Sequence, residues 1–362
     1  MTATRAELIF HNGTIRTMDA QHPIAEALAV AGGRVSAVGL LEAVEATAHA
    51  NTRRIDLEGR TLIPGFNDAH AHLCAAGLGN NDISDNPPDR AQLEAAILIA
   101  ANAYLHVGIT SVTEIGATPD EIEVYRTLAT ERRLPLRVNA VAGRYTLDGV
   151  KIPLPERTES NWLRIDTVWL AAEDMHYSDD QLRALIWDIH RAGLRASINA
   201  ISEATINQAL ESIEYASNRL ISRLKHRIEG FAQANAEQIA RCRHKIGITI
   251  TDVSLPPLRP LLDAELIVGL GSDSHDLAEI DPLHMIRRIE VTQKIPASVT
   301  LPLFTLGSAV VAGEDTLKGS IIPGKYADLV VLSGDPVRAP LERLTDLQVE
   351  MVMVNGLIVY GN

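Results

Sequence analysis

Cysteine is nearly missing from this chain, with two in 362 residues. Cys74 and Cys242 lie far apart and neither starts a Cys-x-x-Cys pair. That excludes a disulfide framework and a cysteine-based zinc knuckle, and it fits a reducing, cytoplasmic compartment. No apolar run reaches the ~18 residues of a membrane span, and the opening MTATRAELIFHNG lacks the uninterrupted apolar core of a signal peptide. Positive charge is in deficit too. A net charge of -13 argues against nucleic acid or an anionic membrane as the main partner and leaves a small-molecule substrate as the natural ligand. There is no repeat at a fixed period and no low-complexity linker. With 46% hydrophobic residues, the chain can bury one large core and a small accessory unit.

The ends of the chain share a texture. ELIFHNGTIRTM and EALAVAGGRVSAVG read as short strands reversed at His-Asn-Gly and Ala-Gly-Gly, and KGSIIPGKYADLVVLSGDP and VEMVMVNGLIVYG repeat the pattern near the C-terminus. The two ends are expected to join in one sheet structure. Between them, short apolar strands alternate with longer helical patterns, the rhythm of a parallel sheet. Strands are expected at LIPGFNDAH, GITSVTEIG, LPLRVNAVAG, DGVKI, RASINA, HRIEG, GITIT and LIVGLGSD. Helices are expected at DRAQLEAAILIAANAYLHV, PDEIEVYRTLATERR, SDDQLRALIWDIHRAG and DPLHMIRRIEVTQ. Eight strands over roughly 250 residues suit an α/β fold of the (β/α)8 TIM-like barrel type.

Catalytic groups in such a barrel stand at the C-terminal strand ends. His70 and His72 close the first strand on one face, where they can grip one ion. Asp273, in GSDSH at the end of the eighth, could be a carboxylate ligand or a general base, or could simply cap the next helix. His275 is a further ligand candidate or a loop histidine. Lys151 in DGVKI must pair, shift its pKa or be modified if buried, or else snorkel from an exposed edge. Arg144 and Tyr145 suit a substrate carboxylate less well than loop contacts. Glu114 could face the pocket or cap a helix. Cys74 reads as packing, as do Trp162, Trp169 and Trp187.

In order and over essentially the whole chain, PGFNDAHAHL, GITSVTE, DGVKI, HRIE, GSD and PGKYADLVVL resemble the metal-dependent amidohydrolase superfamily, in the branch of the N-substituted formamide deformylases. The resemblance implies a barrel over residues 63–315 and a small β-sandwich domain formed by 1–62 and 316–362. It also implies one or two divalent ions, usually zinc, that activate water for hydrolysis of C–N bonds. His70 and His72 match the first-strand ligands, Lys151 the fourth-strand lysine that can be carboxylated, and Asp273 the eighth-strand aspartate. Two ligand positions depart from the pattern. Asn199, in NAISE, and Gly230, in HRIEG, stand where the branch carries histidines. His226, on the strand of Gly230, would sit about 13 Å deeper at ~3.3 Å per residue, whereas His176 and His275 lie on the correct side of the barrel. The branch's large insertions after the first strand and around the seventh are also missing, which implies a more open site or one completed in a homodimer.

The expectation is a hydrolase with one ion, most simply zinc, on His70, His72, Asp273 and carboxylated Lys151, with Asp273 and Lys151 catalytic and Asn199, His275, His176 and Glu114 as further pocket residues. Two alternatives stay open. One is a metal-free or non-hydrolytic reaction such as decarboxylation, elimination or cyclisation; the other is an inactive binding protein.

Overall fold

The computed structural model describes residues 5–79, 87–144, 151–251 and 257–361. Eight parallel strands lie side by side in sequence order: β1 (Phe66–Ala71), β2 (Ile109–Ala117), β3 (Arg137–Gly143), β4 (Leu163–Leu170), β5 (Arg195–Ala200), β6 (Arg227–Gly230), β7 (Gly247–Ile250) and β8 (Ile267–Leu270). The last returns beside the first, where the Asp273 amide donates to the His70 carbonyl at 2.8 Å. This is the (β/α)8 barrel that the rhythm of the chain implies.

Two strand expectations need correction. The fourth barrel strand is LRIDTVWL; residues 148–150 of the expected DGVKI strand lie outside the described residues, and Lys151, on the segment joining β3 to β4, is exposed. LIPGFNDAH is not continuous either. Thr61–Pro64 belongs to a separate sheet, and the chain crosses into the barrel at Gly65, where an added Cβ would collide with the Thr110 side chain.

The four expected helices form, at Arg90–His106, Pro119–Thr130, Asp179–Arg191 and Pro282–Gln293. The first three open with capping boxes, Asp89 with Gln92, Thr118 with Glu121 and Ser178 with Gln181, in which each cap side chain takes a free amide of the first turn. Their apolar faces cover the barrel, so that Ile97, Tyr125 and Ile186 share one buried cluster with Val112, Val138 and Ile198 of the strands. Thr113, Asn139 and Thr249 are buried outside that cluster.

Strands from both ends of the chain build the accessory unit. A four-stranded sheet contains Leu8–His11, Ala27–Ala31, Arg34–Gly39 and Arg53–Asp56, and a six-stranded sheet sets Thr14–Arg16, Ile24–Ala25 and Thr61–Pro64 beside Leu329–Leu332, Val349–Val354 and Leu357–Gly361. Phe10, Leu28 and Val35 of the first sheet pack with Leu62, Leu329 and Met353 of the second. Ala-Gly-Gly and Asn-Gly turn hairpins as expected, with Ala31 paired to Arg34 and Val354 to Leu357. His-Asn-Gly does not. The strands on either side of it enter different sheets, because alternate faces must both be covered in a two-layer packing.

Arg137 at the base of β3 ties the two units together. Its guanidinium is paired with Asp328 at 2.6 and 2.9 Å and lies over the Tyr326 ring, 3.6 Å from its centre. Arg137→Ala is expected to strand the buried Asp328 charge and destabilise the protein by about 3–5 kcal/mol in denaturant unfolding. A loss below about 1 kcal/mol would show that the pair behaves as an exposed one.

Candidate metal centre

The seam between β1 and β8 brings the candidate ligands together. The His72 Nε2 atom is 3.1 Å and the His70 Nε2 atom 3.3 Å from Asp273 Oδ1, and one ligand atom from each residue falls within 4.8 Å of the others. Asp68, at the heart of β1, locks this arrangement by accepting from the His70 amide (3.0 Å), the Ser272 amide (3.0 Å) and the Ser272 hydroxyl (2.6 Å). Burial raises its pKa to about 6, and the Ser272 bonds oppose that rise. Gly271 is required at the same seam, since a Cβ there would sit 2.5 Å from the His70 nitrogen. Asp273 adopts a left-handed conformation, φ 51°, which Asp tolerates better than most residues. It does not cap the next helix; that helix starts at Pro282 and is capped by Asp281.

Glu229 is the residue that sequence reasoning passed over. Its buried carboxylate accepts from His70 Nδ1 at 3.1 Å, from Ser197 Oγ at 2.6 Å and from Arg227 Nε. A carboxylate only accepts, so Nδ1 carries a proton, and Nε2 is the ring nitrogen turned to the ligand cluster. Burial works against the Glu229 charge, but Arg227 and His70 hold its pKa down to about 2. For His70, burial disfavours the imidazolium, yet bonds to Asp273 and Glu229 and their charges raise its pKa to about 9. Asp273 is itself held well below the ordinary carboxylate range by the two histidines, against its partial burial. HRIE carried a signal for Glu229: an acidic residue on a buried strand needs a cationic or imidazole partner.

Two imidazoles and a carboxylate, one imidazole backed by a buried carboxylate, fit a divalent metal ion with positions left for water and substrate. The other expected residues sort as follows. Lys151 stands exposed off the barrel strands, so the argument that placed a carboxylated lysine at the fourth strand loses its ground. Asn199 is partly exposed at the end of β5, and its amide donates to Asp174 Oδ2 at 3.3 Å. Gly230 has φ 87°, and a Cβ would meet Ile201 at 2.9 Å, so the backbone at that strand end no longer suits a histidine. His176 is exposed at the end of a one-turn helix, Ala172–Met175. His275 stacks on His72, ring centres 4.1 Å apart. Burial and the neighbouring His72 lower its pKa.

Glu114 takes the capping role. It faces the helical layer and accepts the Leu73 and Cys74 amides at 2.5 and 3.2 Å, at the start of the helix Leu73–Leu78 that follows His72. Cys74 is buried and its thiol pKa is pushed upward by burial and by Glu121 and Glu114, in keeping with packing. Arg144 donates to the Ile152 carbonyl, and Tyr145 lies outside the described residues. His226 is bound at the base of β5, accepting the Ala196 amide at 2.9 Å, well away from the ligand cluster. Trp162 and Trp187 pack on the core, but Trp169 does not; its ring meets the edge of His70 at 5.7 Å.

Residues 80–360 match the amidohydrolase family. The chain belongs to that family. Among its relatives, the N-substituted formamide deformylase of Arthrobacter pascens is 21% identical, with 99% of each chain covered. That alignment runs over 539 positions, so the relative carries extra segments, in line with the missing insertions. The imidazolonepropionase of Streptomyces coelicolor is 26% identical over 84% of this chain and 85% of its own. In fold, the zinc complex of atrazine chlorohydrolase from Arthrobacter aurescens superposes with a TM-score of 0.76 at 17% identity, covering 98% of this chain and 95% of that one. A solved structure from Pyrococcus horikoshii with the same fold, described as that of a metal-dependent hydrolase, superposes with a TM-score of 0.76 at 16% identity, covering 92% of this chain and 99% of that one. No helix among the described residues is long and apolar enough to cross a membrane.

A metal ion must displace the His70 proton that is held to about pH 9. Calorimetry of zinc binding in two buffers of different ionisation enthalpy is expected to show about one proton released per ion near neutral pH, with affinity rising until the pH passes that pKa. Release of no proton near neutrality would contradict the coupling. Glu229→Gln is expected to weaken metal affinity about 10- to 100-fold.

Proposed function

We propose that this amidohydrolase hydrolyses an amide, formamide or cyclic amide bond of a small molecule with the help of one divalent ion, most simply zinc, held by His70, His72 and Asp273. The observation that carries the reading is the convergence of these three donors with Glu229 bonded behind His70. When bound, such an ion polarises the carbonyl and makes water a better nucleophile at neutral pH. The protein's own groups supply the rest. Glu229 keeps the His70 Nδ1 proton in place, so the ring cannot turn away from the site. Both histidines contact Oδ1 of Asp273, which leaves Oδ2 to accept a proton from the attacking water and return it to the leaving nitrogen.

The formamide deformylase and the imidazolonepropionase among the relatives support C–N cleavage as the reaction class. A metal-free reaction relying on a buried lysine in the barrel mouth finds no support at Lys151, which is exposed on the segment after β3.

Elemental analysis of untagged protein is expected to find about one ion per chain, lost in the His70→Ala, His72→Ala double variant. Asp273→Asn should keep the fold by circular dichroism while turnover of a formamide or cyclic amide found by screening drops at least ~100-fold. Two ions per chain would overturn the single-ion reading. No ion after reconstitution with zinc and bicarbonate would overturn the metal-assisted reaction.

A further inference from the structure

The ends of the barrel strands divide the mouth into two unlike halves. His70 on β1, His72 just after it and Asp273 just after β8 are adjacent at the seam. On the far side, β3 ends in Gly143, β4 carries Trp169 one residue from its end, and β6 ends in Gly230. Trp169 pairs in register with Gly143 on one side and with Ser197 on the other. Ser197 donates to Glu229, which in turn holds His70, so Trp169 shares the inner face on which the ligand cluster stands. Its indole meets the His70 ring edge to face, with the ring planes at 84°. Gly116, one residue before the end of β2, lies beside it, since a Cβ there would stand 3.7 Å from the indole, in ordinary contact.

Trp162 and Trp187 pack against the hydrophobic core; Trp169 is partly exposed and stands apart from that cluster. A large ring turned inward beside a polar centre and flanked by glycines contributes little to the core, while offering a flat apolar surface next to the reacting group.

We propose that Trp169 is a specificity-determining wall that accepts a planar, uncharged aromatic or heteroaromatic group of the substrate, stacked on the indole next to the His70, His72 and Asp273 centre. This inference rests on the function proposed above and names the shape of its substrate. Offset or edge-to-face contact between rings favours a flat group over a puckered one of equal size.

Benzamide and cyclohexanecarboxamide test the proposal, since they carry the same amide on a flat and a puckered six-membered ring. Binding of each to the protein as purified, with its metal content measured in parallel, is followed by quenching of tryptophan emission and by calorimetry. The wild type is expected to bind benzamide about tenfold more tightly. Trp169→Phe should keep most of that preference, and Trp169→Leu should abolish it while metal content stays at the wild-type level. Equal affinity of the two amides for the wild type, or a preference that survives Trp169→Leu, overturns the proposal and leaves the metal reading standing. Protein without metal would sink the metal reading instead. The ring preference is measured by binding and not by turnover, so it would still decide the role of Trp169.

Discussion

Everything at this site depends on how the barrel closes. The first and last strands meet through Asp68, which takes three hydrogen bonds from His70 and Ser272, and through the Asp273 amide on the His70 carbonyl. Gly271 lets the two backbones approach that closely. Residues 201 to 204 positions apart in sequence thereby become neighbours, and the left-handed backbone at Asp273 turns its carboxylate onto both histidines. A looser seam would leave three separate side chains in place of one donor set.

Behind the donors stands a layer of buried polar groups. Glu229 is the centre of it, bonded to His70, Ser197 and Arg227, and Arg227 in turn donates to the Ala69 carbonyl. Each member satisfies another, which is what allows charges to exist where water is excluded. On the outer side of the strands, Glu114 does similar work for the backbone beyond His72 by holding the first amides of the next helix. The imidazoles are therefore fixed from two directions, one from within the barrel and one from the helical layer.

Much of this was legible in the chain. Seven of the eight barrel strands and the four helices follow from hydrophobic rhythm and capping residues, because those signals act over a few neighbouring positions. His70, His72 and Asp273 were legible because strand ends in a barrel face one mouth. Lys151 was misplaced for a physical reason: DGVKI has the composition of a strand, but LRIDTVWL holds more β-branched and aromatic residues and pairs on both edges. HRIE signals that Glu229 needs a buried partner, but nothing local tells whether that acid, or the Trp169 ring assigned to packing, faces the site or the core.

The sequence by itself determined the element order, the apolar faces that the helices cover, and the two histidines and one aspartate that can bind an ion, since each is a property of residue type and spacing. Tertiary structure alone decided which carboxylate orients His70, that Glu114 caps and does not enter the pocket, that the Gly230 strand end has no place for a histidine, and that Trp169 turns inward. Those outcomes depend on the register between strands, and shifting a strand by one residue moves every side chain to the opposite face.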